Sequence, residues 1–243
     1  MQPIYEVSLA RPEDVSAAAG RIRMFGIDRI SLTHKTAGTG GLELARLLRE
    51  ALPTVDVALH LSLRNLGACP LSEWLAVAAG CAPQELLVLS GNPRPKADLL
   101  SRWPELPQLG YRLACSHTCG ETQRLSSKLA LPGPQAVCLQ ITDDCEALRA
   151  ACLAIRSARP DLEIRGCLLI PNPSIRARLR FRNWHGVQLS TKYLDDQLYA
   201  EYQTERLVGL YRELNVRPFV EAIPFNDLAV VASLNYLKPA VGR

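Results

Sequence analysis

Residues 56–62 read DVALHLS and residues 85–91 read ELLVLSG, two short apolar runs with a helical pattern between them. A β-strand followed by a returning helix takes a step of this length. The pattern extends in both directions. Before it lie IYEVSL (4–9) and DRISLTH (28–34). After it come YRLACSH (111–117), QAVCLQIT (135–142), EIRGCLLI (163–170) and PFVEAIPF (218–225). The starts are mostly 24–29 residues apart until the last gap. Eight such runs match a closed (β/α)8 barrel of about 250 residues. HGVQLS (185–190) is a ninth candidate, and an open doubly wound sheet also fits the pattern.

The helices between the runs carry their own signals. Pro12 suits a first helical position, and Ser72 suits an N-cap before EWLAVAAG. Asp143 with Glu146 three residues later has the form of a carboxylate capping box. Behind it Leu148, Ala151, Cys152 and Ile155 form one apolar stripe, as do Val208, Tyr211 and Leu214 further on. The proline-rich stretch GNPRPKADLLSRWPELPQLG should be mostly loop. No linker or low-complexity segment divides the chain, so residues 1–243 are expected to form a single domain.

The composition is that of a globular protein: 48% hydrophobic and 21% charged residues in 243, with mean hydropathy +0.01. No run approaches the roughly 20 apolar residues of a membrane span, and no secretory signal opens the chain. A soluble, cytoplasmic protein is expected. The net charge of +4 and the 6% aromatic content lack the basic, aromatic-studded surface of a nucleic-acid binder. Arg176, Arg178, Arg180 and Arg182 alternate at i, i+2, which spreads them around a helix, and reads as a solvated surface. The eight cysteines contain no C-x-x-C pair, so neither a zinc knuckle nor a disulfide framework is expected. Cys138, Cys152 and Cys167 fall in apolar strand or helix patterns, where a free thiol acts as a small hydrophobe.

Barrels of this kind carry their chemistry at the C-terminal strand ends. That rule selects Glu6, Ser8, Thr33, His34, His60, Ser62, Ser90, Gly91, Asn92, Ser116, His117, Gln140, Thr142, Asn172, Glu221 and Asn226. Three of the four histidines fall in the set. Glu6 stands in an otherwise apolar strand, where a carboxylate either points into the barrel mouth or is paired in the core. Burial there would raise its pKa and suit it to general-acid work. His60 reads equally as a core or a site histidine. KTAGTGGLELA has Glu43 where a dinucleotide fingerprint needs its third glycine, and follows the wrong strand. It is read instead as a loop whose backbone N–H groups could meet an anion.

Taken in order, the strand ends resemble the catalytic barrel of the methylenetetrahydrofolate reductases. The family's E-F-F-P-P strand is answered by YEVSL with Glu6, its V-S-V-T-Y-G by ISLTHK with Thr33, and its H-L-T by HLS with His60 and Ser62. A-L-R-G-D is answered by VLSGN, T-Q-F-F-F-D by LQITDD with Gln140 and Asp143, P-G-I-L-P by RGCLLIP, and the late L-N-R by FND at Asn226. The resemblance implies reduction of methylenetetrahydrofolate to methyltetrahydrofolate, with hydride from NAD(P)H directly or through FAD. It implies Glu6 as the acid, and Asn92 and Gln140 as folate contacts. Thr33, His60, Ser90, Ser116 and Lys128 would be cofactor contacts, Lys128 toward a phosphate. No metal, nucleic acid or membrane is implied. The departures are specific. Asn92 replaces an aspartate, Ser90 an arginine, ACSH the tyrosine segment that holds FAD, and Ile175 a phenylalanine that stacks on the dinucleotide. These changes point to weak flavin binding, and to an alternative in which the barrel binds folate, or serves a partner subunit, without catalysis.

Overall fold

The computed structural model describes residues 2–34, 39–62, 66, 69–89, 103–106, 110–181, 184 and 186–221. Eight strands follow in chain order: β1 (Ile4–Leu9), β2 (Arg29–His34), β3 (Asp56–Ser62), β4 (Glu85–Leu89), β5 (Arg112–His117), β6 (Pro134–Leu139), β7 (Glu163–Leu169) and β8 (Arg217–Glu221). They close in that order into a barrel, so the fold is a (β/α)8 barrel and not an open sheet. The helices are α1 (Glu13–Met24), α2 (Gly40–Ala51), α3 (Leu71–Ala79), α4 (Thr122–Leu129), α5 (Cys145–Ala158), α6 (Pro173–Phe181), α7 (Thr191–Asp195) and α8 (Gln197–Glu213). Three of them fill the long last gap between β7 and β8. The ninth candidate strand is reduced to one isolated parallel bridge, Thr142 with Gln188. No described helix is long and apolar enough to cross a membrane.

The chain divides into two compact units, one of Tyr5–Ala114 and one whose described residues are 2–4 and 115–221. In the first, register sorts the strands into two rows, because side chains alternate faces along a strand. Tyr5 and Val7 lie beside Ile30 and Leu32, which lie beside Val57 and Leu59, and Leu59 and Leu61 lie beside Leu86 and Val88. The helices bury apolar stripes of their own, such as Val15, Ala18 and Ile22 of α1 and Trp74, Leu75 and Ala78 of α3. The opposite row is polar or small: Glu6 beside Ser31, Ser8 beside Thr33, Ser31 beside Ala58. The proline-rich stretch contains a short 3₁₀ turn, Trp103–Glu105, where Trp103 and neighbouring Leu106 are fully buried.

In the second unit the same alternation is fixed by one close approach. A Cβ on Gly166 of β7 would run into the ring of Tyr211 on α8. Gly166 therefore faces the helix, and Arg165, Cys167 and Leu169 face away from it. The Tyr211 hydroxyl completes the contact by donating to the Cys167 carbonyl at 2.9 Å.

Three local expectations need correction. The cap of α5 is Asp144, not Asp143; its carboxylate accepts from the Glu146 and Ala147 amides at 2.9 Å each. α3 begins right after Pro70, so Ser72 lies inside its first turn and caps nothing. Arg176 is buried rather than solvated: it donates to the Tyr193 and Leu194 carbonyls and to Gln197, tying α6 to α7 and α8. Arg178 is exposed, Arg180 binds Leu194 and Asp195, and Arg182 lies outside the described residues.

Candidate active site

In the first unit the polar row of the strands builds the candidate site. Thr33 Oγ1 donates to Glu6 Oε1 at 3.5 Å, across neighbouring strands. Ser31, the register partner of Glu6, is fully buried, and its Oγ lies 2.7 Å from His60 Nε2. Glu6, Ser31, Thr33 and His60 thus share one face of three successive strands. Glu6 and Thr33 are only half-buried, whereas Ser31 and His60 are buried. A carboxyl oriented by a hydroxyl and partly open can exchange a proton with a bound molecule. His60 stands deeper, with Nε2 engaged by Ser31. Ser90 and Asn92 lie outside the described residues. An open groove lined by Ile22, Arg23, Gly26, Asp28, Leu52 and Thr54 sits where β2 and β3 begin, the end that in this fold serves stability.

In the second unit the strand ends hold a different set. Lys128 of α4 donates from Nζ to the Ser116 carbonyl at 2.5 Å. Gln140 follows the last residue of β6, and its amide donates to the His117 carbonyl at 2.7 Å. The left-handed Gly186 (φ +87°) closes over it: a Cβ there would lie 3.0 Å from Thr118 Oγ1 and 3.4 Å from Gln140 Cγ. Asp143 is buried and accepts from the backbone amide of Ser190 at 2.9 Å and from its hydroxyl. That pins the 186–190 segment to the end of β6.

Two titratable groups here are displaced from their ordinary range. His117 is buried, and among the described residues neither ring nitrogen has a hydrogen-bond partner. Burial, then the nearby Lys128 cation, pushes its pKa down to about 4, so the imidazole is neutral. Burial pushes the Glu221 carboxyl up to about 7, although a hydrogen bond with Cys167 opposes the shift. Sequence reasoning did not single out Ser31 or Thr118. The signal for Ser31 was parity: it stands two residues before Thr33, on the same face. Among the described residues no cluster of three or more His, Cys, Asp or Glu could hold a metal ion.

No family model and no curated protein matches the sequence. Solved structures do. The tryptophan synthase from M. tuberculosis shares 11% identity over 89% of this chain and 92% of its own, with a TM-score of 0.55. KD(P)GA from T. tenax shares 18% identity over 88% of this chain and 80% of its own, with a TM-score of 0.50. At such identities the likeness shows the barrel fold and nothing finer.

Proposed function

We propose that this barrel binds methylenetetrahydrofolate and reduces it to methyltetrahydrofolate with hydride taken directly from NAD(P)H, Glu6 giving up the proton that accompanies the transfer. The observation that carries the reading is the Glu6–Thr33 hydrogen bond. It holds a half-open carboxyl on the polar face of β1, at the position where the resemblance puts the acid. Thr33 orients the carboxyl.

The family's flavin fits the described residues poorly. Lys128, expected at a flavin phosphate, has its ammonium engaged by the Ser116 carbonyl. In the segment where the family has its tyrosine, Cys115 and Ser116 are buried. No step is routed through FAD. The second reading, a folate-binding or partner subunit without turnover, is favoured by Ser90 and Asn92 in place of the family's arginine and aspartate.

The test is to incubate purified protein with methylenetetrahydrofolate and NAD(P)H and follow the nicotinamide absorbance. Turnover by a colourless protein is the expected result. A yellow protein with stoichiometric FAD would overturn the direct transfer. Folate binding without turnover would select the second reading, and no folate binding would end both.

A further inference from the structure

Helix α8 ends in the run ERLVGLYRE (205–213), whose charges read alike from both ends: Glu205 and Arg206 precede Gly209, and Arg212 and Glu213 follow it. At 3.6 residues per turn, all four charged positions fall within about 60° of Gly209 around the helix. Glu205 and Arg212 lie on one flank of it, Arg206 and Glu213 on the other. These five residues are exposed, whereas Leu207, Val208, Leu210 and Tyr211 among them are buried. Glu213 accepts two bonds from Arg149 of α5, at 2.6 and 3.0 Å, and Arg206 donates to Gln203 at 3.0 Å, so both side chains of that flank are held in place.

Glycine weakens a helix interior relative to alanine. At Gly166 the close approach of Tyr211 requires one, but a Cβ at Gly209 would meet nothing within 4 Å. No packing among the described residues accounts for this glycine, and it leaves bare backbone on the outer face. Tyr202 lies about two turns before it on the same line and Leu198 about three, and they are 57% and 77% exposed.

We propose that α8 is the contact helix of a symmetric homodimer, in which two copies cross antiparallel at Gly209 and their backbones approach closely there. A two-fold axis through the crossing keeps each flank on its own side and reverses its direction along the helix. Glu205 then meets the partner's Arg212 on one flank, and Arg206 meets the partner's Glu213 on the other, each pair occurring twice. Tyr202 sets the direction. In a parallel pair the two rings would meet on the centre line and hold the backbones apart. In the antiparallel pair each ring lies beyond the end of the partner's helix, and the helix dipoles oppose as well. The charges fix the register, and the bare backbone at Gly209 permits the contact.

The experiment is sedimentation of the full chain from about 1 μM to about 500 μM. Wild type should dimerise reversibly, and less tightly when salt is raised from about 0.05 M to about 0.5 M. Glu205→Arg alone, or Arg212→Glu alone, sets like charges against each other and should weaken the dimer about tenfold or more. The two together recreate the pair with its signs exchanged and should restore dimerisation. Gly209→Gln fills the crossing and should abolish the dimer, while the Tm of the dilute monomer stays level or rises. A chain that is monomeric at every concentration would overturn the proposal. So would a dimer indifferent to Gly209→Gln, or a double charge exchange that restores nothing. A sharp fall in the monomer Tm of Gly209→Gln would also overturn it, by showing that the glycine serves the chain's own packing.

Discussion

Glu6 and Ser31 face each other across β1 and β2, yet their hydrogen bonds run in different directions. Glu6 is held by Thr33, one pleat further along β2, and Ser31 is held by His60 on β3. The half-open carboxyl and the closed Ser–His pair therefore have separable roles. Glu6→Gln preserves shape and the acceptor for Thr33 but has no proton to give. Its melting temperature should stay near that of wild type, while folate-dependent NAD(P)H oxidation should drop by roughly 10²–10⁴. Unchanged turnover would remove Glu6 as the acid. A large loss of stability would instead show that the carboxyl serves the core. Glu6 was legible in the sequence because a lone carboxylate in an apolar run is conspicuous. Ser31 was not, because a buried serine looks like any other strand residue until its partner across the ladder is known.

At the scale of elements, apolar runs announced all eight strands, and β1 and β3 begin and end where the runs do. The failures have physical causes. HGVQLS looks like a strand, but Gly186 turns with positive φ against Thr118 and Gln140, leaving one bridge instead of a ladder. Asp143 and Asp144 are adjacent carboxylates, and spacing to Glu146 alone could not say which would cap α5. The structure gives the helix to Asp144 and gives Ser190 to Asp143. Asp144→Ala should accordingly lower stability by about 1 kcal/mol, readable in denaturant unfolding. The alternation of arginines on α6 suggested solvent, yet Arg176 reaches the last carbonyls of α7. Such long-range partners leave no trace in local spacing. Gly166 is a sharper case. Gly166→Ala places a methyl against Tyr211 and should cost about 1–3 kcal/mol through overpacking. A variant as stable as wild type would mean that the tyrosine ring has room to retreat.

Over the whole molecule, the cysteines follow the core. All eight are free, and six of them (Cys81, Cys115, Cys119, Cys138, Cys152 and Cys167) are buried. Burial pushes Cys115 and Cys152 up to about 11 and Cys119 up to about 12, so these thiols stay protonated and unreactive at neutral pH. Native protein should therefore release only the half-buried Cys69 and Cys145 to a thiol reagent promptly, and denatured protein all eight. Mass spectrometry after brief alkylation distinguishes this from a core that breathes, which would label further cysteines at comparable rates.

Cys69 belongs to the unit formed by Tyr5–Ala114, and Cys145 to the one that contains Cys115–Ala222. The natural chain thus offers one dye attachment point in each, with no engineering of new thiols. Replacing either by serine leaves a singly labelled protein, whose fluorescence during denaturation would report whether the two lose structure at one denaturant concentration or in succession.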